Sequence, residues 1–151
     1  MSGKSSKIMA QTSMQPGHGN LTAQKAHVAQ DPDIYYPGDK YVDWIGLSAF
    51  SRQRYHSGAT LGSLMGKTYE QMRANHSQKP IMMSEFAVTN NSSQPRWILD
   101  AYKTIKTLPG MKAAIFWDNV TAHEGDDHTL NEKSQETLRQ IFKDPYWIMA
   151  K

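Results

Sequence analysis

Apolar residues along the chain fall into three continuous runs, and the stretches between and after them show helical spacing. The first run, Val42 to Phe50 (VDWIGLSAF), mixes apolar and small residues without strict alternation, the pattern of a strand covered on both faces. Lys79 to Val88 (KPIMMSEFAV) and the stretch from Met111 (MKAAIFWDNV) have the same character. Between the first two runs, Leu64, Met65, Tyr69 and Met72 recur at roughly helical spacing and stop before the Ser77-Gln78-Lys79-Pro80 boundary. Between the second and third, Trp97, Ile98, Ala101, Tyr102 and Ile105 form the apolar stripe of a helix over Pro95 to Leu108. Ser93 is its expected N-cap, Pro95 suits its first turn, and Pro109-Gly110 stops it. Asn131 to Phe142 is a closing helix with Leu138, Ile141 and Phe142 facing inward, ended by Asp144-Pro145. Strand, helix and strand in this order predict parallel pairing and an α/β fold of three βα units.

Residues 1–30 break this pattern. They are rich in Ser, Gln, Gly, Met and His and show neither period, so a disordered segment is expected there, with the ordered portion over 31–151. Order is expected to begin in DPDIYYPGDKYVDW, where Pro32 and Pro37-Gly38 punctuate a turn-rich aromatic stretch. The start, MSGKSSKIMAQ, lacks the apolar run of a signal peptide, which leaves localisation open. The 17 Lys and Arg against 14 Asp and Glu are scattered and form no basic face, so nucleic acid and membrane surfaces gain no support as partners. There are no cysteines, which excludes disulfides and thiolate metal sites.

The chemistry concentrates at strand ends. Glu85 sits at the C-terminal end of the second strand, where barrel enzymes carry catalytic side chains, although a Glu there is also compatible with a solvated or salt-bridged role. Trp117 ends the third strand and is either a core aromatic or a platform for a ligand. Asp118, as its neighbour, is expected to point to the opposite face and to serve a structural hydrogen bond unless the strand has ended or bulged. Asp43 and Trp44 open the first strand at the far end, a structural position. The loop with Arg52, Arg54, Tyr55 and His56 follows the first strand. His123 to His128 (HEGDDH) has metal-capable side chains in no regular ligand spacing, so a solvated loop is expected and no metal or cofactor is assigned.

Taken in order, YYPGDKYVDWIGLSAF, KPIMMSEFAV, the Trp-bearing helix, MKAAIFWDNV and LNEKSQETLRQIFKDPYW resemble the C-terminal part of glycoside hydrolase family 26, from about Asp33 to Trp147. The resemblance implies a partial TIM barrel, (β/α)8, comprising roughly its sixth to eighth strands, and hydrolysis of β-linked polysaccharide such as β-mannan or β-glucan with retention. It implies Glu85 as the nucleophile and Trp117 as the aromatic platform beneath the sugar. Phe50 stands near the position of the family's Tyr, which hydrogen-bonds the nucleophile, and cannot donate that bond, so either Tyr55 substitutes or the contact is lost. Phe50, Tyr55 and Asp118 complete the expected substrate contacts.

The family's acid/base Glu lies on a fourth-strand segment with no equivalent in this sequence, and 151 residues are few for a fold of about 250. A poor or absent activity of the chain alone is therefore expected, with Asp118 and Glu124 the acids to examine. Two other readings stand beside it. One is a non-catalytic carbohydrate-binding or interaction module. The other is one half of a two-chain barrel, reached by self-association or by a partner chain, because the strands at the edges of such a piece expose unpaired backbone.

Overall fold

The apolar continuity of the three runs becomes three strands of one sheet. The computed structural model describes residues 8–13, 31–53, 58–119 and 127–147. In chain order these form β1 (Ile8–Ser13), a 3-10 helix (Pro32–Tyr35), β2 (Trp44–Ser51), α1 (Leu61–Asn75), β3 (Ile81–Val88), α2 (Gln94–Thr107), β4 (Met111–Phe116) and α3 (Glu132–Ile141). All neighbouring strands are parallel and their spatial order is their chain order. Right-handed crossovers that never reverse direction put their helices on one face of a sheet. Accordingly α1 packs on β2 and on α2, and α2 packs on α3.

The sheet has a strand more than the periodicity predicts. Within the stretch expected to be disordered, Ile8–Ser13 pairs with β2, Ile8 opposite Trp44 and Ser13 opposite Ser48. Only Ile8 and Met9 of this IMAQTS segment are strongly apolar, too short a run to read as a strand. The rest of residues 1–30 lies outside the described residues.

The helix-side core contains Ile45, Leu47 and Ala49 of β2, Ile81, Met83, Phe86 and Val88 of β3, and the buried stripes of α1 and α2. Those stripes are the predicted ones: Met65, Tyr69 and Met72 on α1, and Ile98, Ala101, Tyr102 and Ile105 on α2. Thr60 caps α1 by accepting from Ser63 N–H at 3.1 Å, and Asn131 caps α3 by accepting from Ser134 N–H at 2.9 Å. Ser93 departs from expectation. It occupies the N-cap position of α2 in right-handed helical backbone without a side-chain cap, and its hydroxyl donates instead to Asn91 Oδ1 at 2.6 Å. An Oγ already bound to Asn91 does not reach the helix's first N–H groups.

Gly110 ends the α2–β4 turn with a φ of 80° and its carbonyl accepts from Ile81 N–H at 2.9 Å, so the turn aligns the start of β3 with β4. A Cβ there would stand 3.0 Å from the Arg73 guanidinium carbon. The left-handed backbone alone costs an L-residue about 1–2 kcal/mol. Gly110→Ala is expected to lower the unfolding free energy by about that amount, read as a fall in urea midpoint without a change in slope.

The same end of the sheet is closed by the segment before β2. Asp33 Oδ1 lies 2.7 Å from His76 Nε2 at the end of α1, and the Tyr36 ring stacks on the His76 imidazole at 3.7 Å. The Tyr36 phenol donates to Asp39 Oδ1 at 2.8 Å, and burial together with the Asp39 and Asp33 carboxylates holds it well above its usual pKa. This is the N-terminal end of the strands, where parallel βα folds place stability and not chemistry.

Candidate active site

Glu85 owes its orientation to a break in strand alternation. A regular strand from Ile81 would put residues 81, 83 and 85 on one face, and Ile81 and Met83 are buried in the helix-side core. That would drive the Glu85 carboxylate into apolar surroundings, a costly placement for a charge. Instead the register slips: Leu47 pairs with Met83, but Ser48 pairs with Glu85. The bulge flips the parity, so Phe86 and Val88 return to the core while Ser84 and Glu85 both turn to the face away from the helices. Glu85 is partly exposed there.

β4 brings its own end to the same side. Phe116 pairs with Phe86 and packs edge-on to it at 5.4 Å in the core. The next residue, Trp117, donates its backbone N–H to Phe86 O at 2.9 Å, and alternation turns its indole away from the core, to the side of Glu85. Its Nε1 is buried with no hydrogen-bond partner among the described residues.

Phe50 extends the same face one pair further along, opposite Ala87, and is 8% exposed. Its ring lies 5.7 Å from the fully buried His128 ring and 5.8 Å from the Arg52 guanidinium. Asp118 is exposed, and its Oδ1 accepts from Leu130 N–H at 2.9 Å, which ties the end of β4 to the entry of α3. Tyr55 and Glu124 lie outside the described residues, as do all but Asp127 and His128 of the HEGDDH run. Among the described residues no three His, Asp or Glu gather into a metal-binding group, and no helix is long and apolar enough to cross a membrane.

A polar clamp absent from the sequence reading holds the loops at this end. Gln94, fully buried at the start of α2, donates to Val88 O at 3.4 Å and Thr129 O at 3.1 Å. Its Oε1 accepts from Asn131 N–H at 3.1 Å and Ser134 Oγ at 2.6 Å. Beside it Asn90 Nδ2 donates to Asp127 Oδ2 at 3.1 Å and Thr129 Oγ1 at 3.2 Å. The loops after β3 and β4 are thus fastened together. The available signal was the pair of polar runs, TNNSSQ and DDHTLN, each following a neighbouring strand.

Hydrogen bonds from the Thr129 hydroxyl and backbone N–H, with smaller help from Asn90 and from charge on His128, hold the Asp127 carboxyl below its usual pKa. A depressed carboxylate contributes stability above its unfolded pKa and loses it as pH falls through the folded value. The clamp is therefore expected to persist through mildly acidic pH and to loosen only below the ordinary carboxylate range. Thermal melts against pH check this: Asp127→Asn should lower the melting temperature at neutral pH and flatten the acid limb, so that the two curves converge as pH falls below the carboxylate range.

No protein-family model matches the chain. It is similar to Endoglucanase H of Acetivibrio thermocellus, 27% identical over 88 residues, which is 55% of this chain and 10% of that protein. The chain thus spans about a tenth of the length of the curated relative it matches. Among solved structures it is similar to a GH128 (subgroup VI) exo-β-1,3-glucanase from Aureobasidium namibiae, with 16% identity, 85% of this chain and 49% of that chain covered, and a TM-score of 0.49.

Proposed function

We propose that this chain is the C-terminal part of a glycoside hydrolase of the family 26 type, a portion of a (β/α)8 barrel whose complete form hydrolyses β-linked polysaccharide, β-glucan or β-mannan, with retention. The observation that carries the reading is the bulge that turns Glu85 onto the sheet face away from the helices, in the C-terminal half of a parallel strand that runs on to Val88. Parallel strands in unreversed chain order with helices on one face are what a barrel segment requires, and the similarity to an endoglucanase agrees with the chemistry.

In this reading a Glu85 carboxylate oxygen attacks the anomeric carbon as the glycosidic oxygen leaves, and water later hydrolyses the glycosyl ester. Trp117 supplies the apolar face beneath the sugar. Phe50 borders the site without a donor for Glu85. The leaving oxygen needs a second carboxyl about 5–5.5 Å from the first. Asp118 accepts the Leu130 N–H through Oδ1, a structural bond, and is not assigned as that acid. Loss of a general acid removes about 10²–10⁴ in rate, so the chain alone is a weak catalyst on natural polysaccharide.

The test is reducing-end release on mannan and mixed-linkage β-glucan with Glu85→Ala alongside. The reading expects any release to vanish in the variant; release that survives it contradicts the reading. Ile115, 53% exposed on β4, favours a second feature, completion of the barrel by a partner chain or a second copy. Among the described residues β4 pairs with β3 alone. Saccharide binding that survives Glu85→Ala without any turnover would instead favour a non-catalytic binding module.

A further inference from the structure

We infer that Ser84 is a positioning residue for Glu85, an inserted strand position whose hydroxyl fixes where the carboxylate stands; its catalytic importance rests on the reading of Glu85 as nucleophile. Without Ser84 the strand would alternate regularly, with Met82, Glu85 and Ala87 on one face and Ile81, Met83, Phe86 and Val88 on the other. The core therefore does not require this residue. Its presence interrupts the ladder on both sides, between Leu47 and Ser48 on β2 and between Met83 and Phe86 toward β4. A bulge that disturbs pairing with both neighbours sacrifices backbone hydrogen bonds, and bulges beside active sites re-aim side chains.

The hydroxyl makes good part of that loss. Ser84 Oγ donates to Leu47 O at 3.1 Å, and with its one proton so used, the 3.2 Å contact to Ser48 Oγ has Ser48 as donor. Ser48 is the residue that pairs with Glu85. The two serines thus pin the extra residue to β2 at the level of the carboxylate. A side chain without the hydroxyl removes this bond to Leu47 O at the bulge and loosens the hold of β2 on the extra residue.

The test is carbodiimide-driven amine coupling on the 151-residue chain, with modification of Glu85 followed by peptide mass spectrometry and the exposed Glu132 as internal reference. Ser84→Ala and Ser48→Ala are expected to lower the Glu85 rate relative to Glu132 by about fivefold, the scale on which one ordinary hydrogen bond shifts an equilibrium. Ser84→Thr, which keeps the hydroxyl, is expected to retain the wild-type ratio. An unchanged ratio in folded Ser84→Ala, or an equal fall in Ser84→Thr, would overturn the inference. Should Ser84→Ala fail to fold, Ser48→Ala decides by the same ratio. A wild-type Glu85 that couples as expected but never accepts a glycosyl group would remove the nucleophile reading and leave the positioning role standing.

Discussion

Phe86→Ala is expected to destabilise the chain by about 3–5 kcal/mol, the usual cost of emptying a fully buried aromatic site. Phe86 is 0% exposed and is ringed by Tyr102 at 5.6 Å and Phe116 at 5.4 Å, both edge-on, and by Trp97 at 6.4 Å. Edge-to-face contacts of this kind add about 0.5–1.5 kcal/mol each beyond burial, so truncation removes contacts as well as apolar area. Domains hold only about 5–15 kcal/mol in total, so the variant should be largely unfolded at moderate urea. Phe86→Leu, which keeps most of the volume, should lose clearly less. Urea titrations of the three proteins check this, and equal midpoints for wild type and Phe86→Ala would show that the core is not organised around this ring.

Gln94→Leu carries the second large effect. The substitution keeps the approximate shape but leaves Thr129 O, Asn131 N–H and Ser134 Oγ without their partner in a buried setting. Each buried polar group so stranded costs about 1–3 kcal/mol, and the groups relax together, so a net loss of about 3 kcal/mol is expected. Gln94→Glu separates the two halves of the clamp. It keeps the acceptor for Asn131 and Ser134 but, when ionised, loses the donor and sets a carboxylate against the Val88 and Thr129 carbonyls. Burial favours the neutral acid, which can donate again, so this variant should recover stability as pH falls. Melting temperature against pH is the measurement, and a Gln94→Glu curve parallel to wild type would contradict the clamp.

The sequence patterns reached the three later strands and the three α-helices of the described residues because each carries a continuous apolar run or a helical stripe, the signals that burial imposes directly. β1 was not legible, since IMAQTS has too few apolar residues to declare a strand and its place comes from pairing with β2. The candidate site divides in the same way. Glu85 and Trp117 stand out as a carboxylate and an aromatic at expected strand ends, although β3 runs past Glu85 to Val88, and simple alternation places Glu85 in the core, on the face of Ile81 and Met83. The bulge that corrects this depends on Ser48 and Leu47 of another strand, contacts that no local window contains. Gln94 was hidden for a related reason: before Pro95 it reads as an ordinary helix start, and its partners other than Val88 lie 35 to 40 residues away.

The central claim is that Glu85 is a glycosidase nucleophile, and it can be tested on this chain without a general acid. A 2-deoxy-2-fluoro-β-glycosyl fluoride has a leaving group that departs as fluoride without protonation, so attack by one carboxylate suffices to form the glycosyl ester and release fluoride. Intact-mass measurement after incubation with the gluco- and manno-configured reagents should show one adduct per chain, mapped to Glu85 and absent from Glu85→Gln. An adduct on another residue, or one that persists in Glu85→Gln, or none with either reagent on the folded chain, would contradict the account.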